Sequence, residues 1–174
     1  MKRVLPYFLI TMGILTFLGL RANAAELKIG DPAPMVAAKD QDGNAVNFSE
    51  VYKVGPTVVF FYPKADTPGC TKQACSLRDA FAELTKKGVQ VLGVSFDDVA
   101  AQKAFKAKFN LPYPLIADPD GQVVAAFGVP SMGKFASRQA FLVKDGKIAW
   151  LDHSASTEKQ AEDVMAALEN LSKP

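Results

Sequence analysis

Thr57-Val58-Val59-Phe60-Phe61-Tyr62-Pro63-Lys64-Ala65-Asp66-Thr67-Pro68-Gly69-Cys70-Thr71-Lys72-Gln73-Ala74-Cys75 is the stretch whose reading decides the fold. Its first six residues form an unbroken β-branched and aromatic run, the pattern of a strand buried on both faces. Thr67 suits a helix N-cap and Pro68 the first helical position, where proline's fixed φ is favourable. Behind them Ala74, Leu77, Phe81 and Leu84 recur at steps of three and four, which predicts one amphipathic helix. Gly88, after Lys86-Lys87, is its stop signal. The stretch therefore reads as strand, short loop, helix.

Working outward, residues 89–95 repeat the buried-strand pattern. Asp97 or Asp98 can cap a helix carrying Phe105 and Phe109 one turn apart. Residues 114–117 suit a short strand, followed by a turn over Asp118, Pro119, Asp120 and Gly121. Two short runs flank Lys144-Asp145-Gly146-Lys147, a hairpin signal. A second, smaller hairpin is expected around Asp42-Gly43, behind a segment stiffened by Pro32 and Pro34. Thr157-Glu158-Lys159-Gln160 matches a capping box before a helix whose apolar stripe is Ala161, Val164, Met165, Leu168 and Leu171. Strand–helix–strand–helix followed by a hairpin and a helix predicts an α/β domain: a mixed β-sheet flanked by helices on both faces, with an N-terminal β-hairpin.

The chain has 174 residues, 49% of them hydrophobic and 22% charged, with a formal net charge of +2. That length fits one domain with a core, plus an appendage. Residues 1–24 read as the appendage. Lys2 and Arg3 precede an uncharged apolar run over residues 4–20, and Ala22 and Ala24 fit a small-residue cleavage site. This predicts an exported protein, past the inner membrane of a bacterium and so in the periplasm. The domain then spans residues 25–174. An uncleaved segment would instead anchor it, the one route to a membrane. Losing residues 1–24 removes three basic residues and no acids, leaving 17 basic against 18 acidic and a charge of −1. No basic stripe remains for nucleic acid. Two Cys and one His cannot build the usual four-ligand zinc site, and no metal or cofactor is expected.

The chemistry falls at the start of the helix after the first long strand. With Thr67 as N-cap, Cys70 is the third helical residue, among N–H groups that lack intrahelical partners. Those groups and the helix dipole favour an anion there, hence a thiolate. The thiolate is the nucleophile, and an ordinary cysteine is only a few per cent ionised at neutral pH. Five residues along one regular helix put the Cα atoms of Cys70 and Cys75 about 8.6 Å apart. Disulfides need roughly 7 Å or less. The two thiols can be a permanent staple that forbids this helix, a dithiol that bonds after the helix unwinds, or a reactive Cys70 with an inert Cys75. The geometry favours the second. The sole histidine, His153, is a conceivable partner for a cysteine nucleophile, but nothing local ties it to Cys70; Trp150 reads as core.

These residues resemble a peroxiredoxin of the bacterioferritin-comigratory, or Q, branch. Pro63, Thr67 and Cys70 reproduce the family's Pro-x3-Thr-x2-Cys signature, and a second Cys five residues on stands at that branch's resolving position. The resemblance implies a thioredoxin-like fold and a cofactor-free thiol peroxidase for hydrogen peroxide and organic hydroperoxides, serving antioxidant defence. It implies Cys70 as peroxidatic cysteine, Thr67 orienting thiolate and peroxide, and Pro63 shielding the sulfur. Arg138, just before a late strand, would stabilise the charge, although Gln139-Ala140 follow it where the family has Ser or Thr and then Thr. Cys75 would resolve the sulfenic acid as a Cys70–Cys75 disulfide, reduced by a thioredoxin-like dithiol. A monomer is typical of the branch. An exported thiol–disulfide oxidoreductase is the alternative, weakened by the missing C-x-x-C. A non-enzymatic binding domain with a structural disulfide is the third reading. N-terminal sequencing of exported protein is expected to start at Ala25; an intact Met1 would mark an anchor.

Overall fold

The structure, a computed structural model, describes residues 26–173. The expected leader, residues 1–24, lies outside them. Fifteen elements occur among the described residues. Seven strands form one sheet in the order β2-β1-β5-β4-β3-β8-β9. They are β1 (Ala37–Asp40), β2 (Ala45–Asn47), β3 (Thr57–Phe61), β4 (Gln90–Ser95), β5 (Leu115–Ala117), β8 (Gln139–Lys144) and β9 (Lys147–Asp152). β3, β4 and β5 run parallel. The β1–β2 hairpin joins antiparallel at one edge through β5, and the β8–β9 hairpin at the other through β3. The mixed sheet and the N-terminal hairpin are as expected.

β3 is the centre because both its faces are covered. All five residues are buried. The period of two sends Val58 and Phe60, with Tyr62 just beyond, into one core, and Val59 and Phe61 into the other. On the first face lie α2 (Pro68–Asp79), α3 (Phe81–Lys86), α4 (Val99–Phe109) and α6 (Gln160–Leu171), which contribute Leu77, Leu84, Phe105 and Val164. On the second lie α1 (Phe48–Val54) and α5 (Gln122–Ala126). There Phe61, Phe127 and Phe141 meet pairwise at centroid separations of 5.2 to 5.8 Å, within the range of favourable aromatic contact.

Three local expectations change in the fold. The single helix expected from Ala74 to Leu84 is two, broken at Ala80 (φ −91°, ψ 0°). The break lets Phe81 meet Tyr113 at 5.9 Å while Leu84 stays in the same core, so the stripe survives the interruption. The capping box at Thr157 does not form. Helix α6 begins at Gln160 behind Lys159, with no side-chain cap of its own. Ser156 Oγ takes the N–H groups of Glu158 and Lys159, and Ser76 of α2 takes that of Ala161. A tertiary hydroxyl thus replaces the local cap. Thr67 does occupy the N-cap position of α2, but its side chain caps nothing: its hydroxyl donates to Lys64 O at 2.9 Å. Asp98 rather than Asp97 caps α4, accepting from Ala101 N–H.

The Asp145-Gly146 turn has φ of 53° and 72°, the left-handed pair that closes a two-residue hairpin. The small pair β6 (Ser131–Met132) and β7 (Phe135–Ala136) had no signal, being only two residues per strand. Phe61→Ala, which empties the middle of the second core, is expected to cost about 3–5 kcal/mol in chemical denaturation without changing the fold.

Candidate active site

The site lies where β3 ends and α2 begins. Tyr62 and Pro63 carry the chain off the sheet, and residues 64–67 turn it into the helix. Two charged contacts hold that loop. Asp97 accepts the Ala65 N–H at 2.7 Å, and Lys108 of α4 pairs with Asp66, which sits in the left-handed region at φ 56°. Asp97 is in turn fixed by the Ser95 hydroxyl at 2.7 Å. Buried Gln102 donates to Ser95 Oγ and to Ile116 O, and accepts from the Tyr62 hydroxyl. Burial pushes the Tyr62 phenol far above its ordinary range, so it stays a donor in this chain. The loop is therefore wired to the ends of β4 and β5.

Cys70 is the third residue of α2, as expected, and is 1% exposed. Antiparallel pairing of β3 with β8 sets Phe61 opposite Gln139. Arg138, one residue earlier, therefore stands beside the point where the chain leaves the sheet for α2. Its Nη2 lies 3.5 Å from Cys70 Sγ. Gly69 permits the approach, because a Cβ there would come within 3.3 Å of that nitrogen.

Among the residues singled out from sequence, the fold thus brings Cys70 and Arg138 together, with Thr67 at the head of the same helix and Pro63 half-buried at the end of the strand. Cys75 is half-buried further along α2, and both thiols are free. The helix is continuous between them, so the permanent-staple reading does not hold in this structure. His153 pairs with Glu26 at 3.3 Å, and Trp150 packs against the first core.

Sequence reasoning passed over Gln73. It is fully buried and accepts from Arg138 Nη1 through its side-chain oxygen. Its signal was available: Cys70, Gln73, Ala74 and Leu77 form the buried face of α2, and a glutamine there is out of place on a purely apolar stripe.

Residues 29–151 match the AhpC/TSA family. The chain belongs to the AhpC/TSA family. Within it, the chain is a peroxiredoxin of the Q, or bacterioferritin-comigratory, branch. It is 39% identical over 155 residues to the chloroplastic peroxiredoxin Q of Oryza sativa subsp. japonica, covering 87% of this chain and 71% of that one. Peroxiredoxin bcp1 of Schizosaccharomyces pombe is 41% identical over 124 residues, covering 70% and 64%. The crystal structure of peroxidoxin BcpB from Mycobacterium tuberculosis superposes with a TM-score of 0.79 at 34% identity, covering 85% of this chain and 100% of that one. The peroxiredoxin is thus a thiol peroxidase with the thioredoxin-like fold, an oxidoreductase using a thioredoxin-like reductant. The alternative of a thiol–disulfide oxidoreductase for exported proteins is not favoured.

Arg138→Met is expected to lower the second-order rate constant for peroxide by about 10²-fold, the scale for losing one donor to a developing charge. Stopped-flow oxidation of the reduced protein measures it.

Proposed function

We propose that Cys70 is the peroxidatic cysteine and that Arg138, Thr67 and Pro63 form its environment. The observation that carries this is the guanidinium of Arg138 aimed at a buried sulfur in the first turn of a helix. The Cys70 thiolate attacks one oxygen of the peroxide, and the O–O bond breaks. The departing alkoxide or hydroxide takes up a proton and leaves as alcohol or water. Cys70 becomes a sulfenic acid, oxidised by two electrons. Arg138 stabilises the thiolate before attack and the charge on the departing oxygen during it. Thr67, whose hydroxyl hydrogen is committed to Lys64 O, keeps its oxygen lone pairs free to accept from a hydroperoxide O–H. Pro63 brings no N–H and screens the sulfur from water.

Cys75 then resolves the intermediate. The Cys75 thiol gives up its proton, its thiolate attacks the Cys70 sulfur, the S–O bond breaks, and the departing hydroxide takes up one proton and leaves as water. A thioredoxin-like dithiol reduces the Cys70–Cys75 disulfide and is itself oxidised to a disulfide. Both cysteines lie on one regular helix, too far apart to bond, so residues 70–75 must leave helical geometry between the two steps.

Residues 1–24 serve in this reading as a leader that carries the domain, residues 25–174, past the inner membrane into the periplasm. The basic start and the apolar run support this. The exported domain acts as a monomer, and it meets the membrane only if the leader stays attached.

Cys70→Ser is expected to abolish peroxide turnover. Cys75→Ser should be oxidised by one equivalent of peroxide at the wild-type rate and stop at the sulfenic acid, trapped by dimedone and weighed by intact mass. Turnover retained by Cys70→Ser overturns the assignment. A Cys75→Ser protein that still cycles with dithiol at the wild-type rate removes Cys75 from it.

A further inference from the structure

Arg138 has no carboxylate within ion-pair distance among the described residues. A guanidinium in a partly buried site is usually aimed by an acid. Here its fixed side-chain partners are Cys70 Sγ, through Nη2, and Gln73 Oε1, through Nη1. Gln73 Nε2 donates in turn to Gln160 Oε1 at 2.8 Å. Gln160 is the first residue of α6, and both glutamines are fully buried.

The polarity of this chain is forced from one end. A guanidinium only donates, so Gln73 must turn its oxygen to Arg138 and its NH₂ to α6. Gln160 must then present its oxygen, which leaves its own Nε2 buried without a partner among the described residues. A buried donor left open costs stability, so the arrangement calls for an account other than stability.

We infer that Gln160 is a positioning residue for the peroxide step, holding the Arg138 guanidinium against the Cys70 sulfur through Gln73. The inference rests on the reading of Cys70 as the reacting sulfur. Because the relay is neutral, it aims the guanidinium without spending its charge on an acid. The whole positive charge then faces the sulfur.

Gln73 also lies between Cys70 and Cys75, in the segment that must leave the helix. The Gln73–Gln160 bond ties that segment to α6 and has to break before the disulfide closes. Loss of Gln160 therefore moves the two steps in opposite directions: oxidation of Cys70 slows, and closure of the disulfide quickens.

The test uses the full domain carrying Gln160→Met, Gln73→Met and both. In Gln160→Met the rate constant for oxidation of Cys70 by hydrogen peroxide should fall about tenfold. Thiolate absorbance at neutral pH should fall with it, and the subsequent disulfide step should accelerate. Gln73→Met should slow oxidation at least as much, and adding Gln160→Met to it should change nothing further, since the relay is already cut. If Gln160→Met does not fold, as judged by circular dichroism, Gln160→Asn replaces it: its shorter amide cannot reach Gln73, and the same results are expected. Oxidation and thiolate absorbance within about twofold of wild type, or effects of the two substitutions that multiply, overturn the inference. If wild-type Cys70 itself ignores peroxide, the reading of the site fails first. If Arg138→Met slows oxidation while Gln160→Met does not, only the relay is wrong.

Discussion

One contact organises this molecule: a guanidinium 3.5 Å from a buried sulfur. Neither partner can be placed by its own segment. Cys70 depends on α2 starting at Pro68, and that start depends on the loop held by Asp97 and Lys108. Arg138 depends on the β3–β8 register, which sets Gln139 against Phe61. A slip of one residue in that pairing would turn every side chain of β8 to the other face and carry the charge away from the thiol. The two-sided burial of β3 prevents it, because Val59 and Phe61 fill one core while Val58 and Phe60 fill the other.

The same helix meets two opposed demands. It must be intact to aim its first-turn N–H groups and to keep Cys70 beside Arg138. In the proposed mechanism it must also open for the two sulfurs to meet. Past Cys75 the helix is attached through Arg78, which donates to Phe109 O at 3.0 Å, and through Ser76, which receives the Ala161 N–H. The residues between the cysteines are held by the Lys72–Glu158 pair, by Gln73 through Arg138 and Gln160, and by Tyr113 at Ala74 O. In the proposed mechanism, turning a thiolate beside Arg138 into a neutral sulfenic acid weakens the contact that holds the first turn, which links reaction to release.

The alternating and continuous apolar runs, the turn residues at Asp42-Gly43 and Asp145-Gly146, and the N-cap and Pro at Thr67-Pro68 were enough to lay out strands, helices and the α/β class. They record preferences that act over a few residues. Ala80 carries no breaker, so the division of α2 from α3 was invisible; it follows from where Tyr113 offers Phe81 a partner. The capping box at Thr157 was legible and did not form, because Ser76 reaches across from α2. Thr67 took the cap position but gave its hydroxyl to Lys64 O, a choice between two local acceptor–donor patterns that the loop decides. β6 and β7 were too short to have a period.

By itself, the sequence determined the central strand, the helix that starts at Pro68, and a sulfur in its first turn, since each follows from the shape and bonding capacity of neighbouring residues. It also carried the family signature. Only the tertiary structure decided what faces that sulfur. Arg138 is 68 positions away and Gln160 a further 22, and no local preference links them to Cys70. Strand register and helix docking bring such groups together, and those are settled by burying two cores at once.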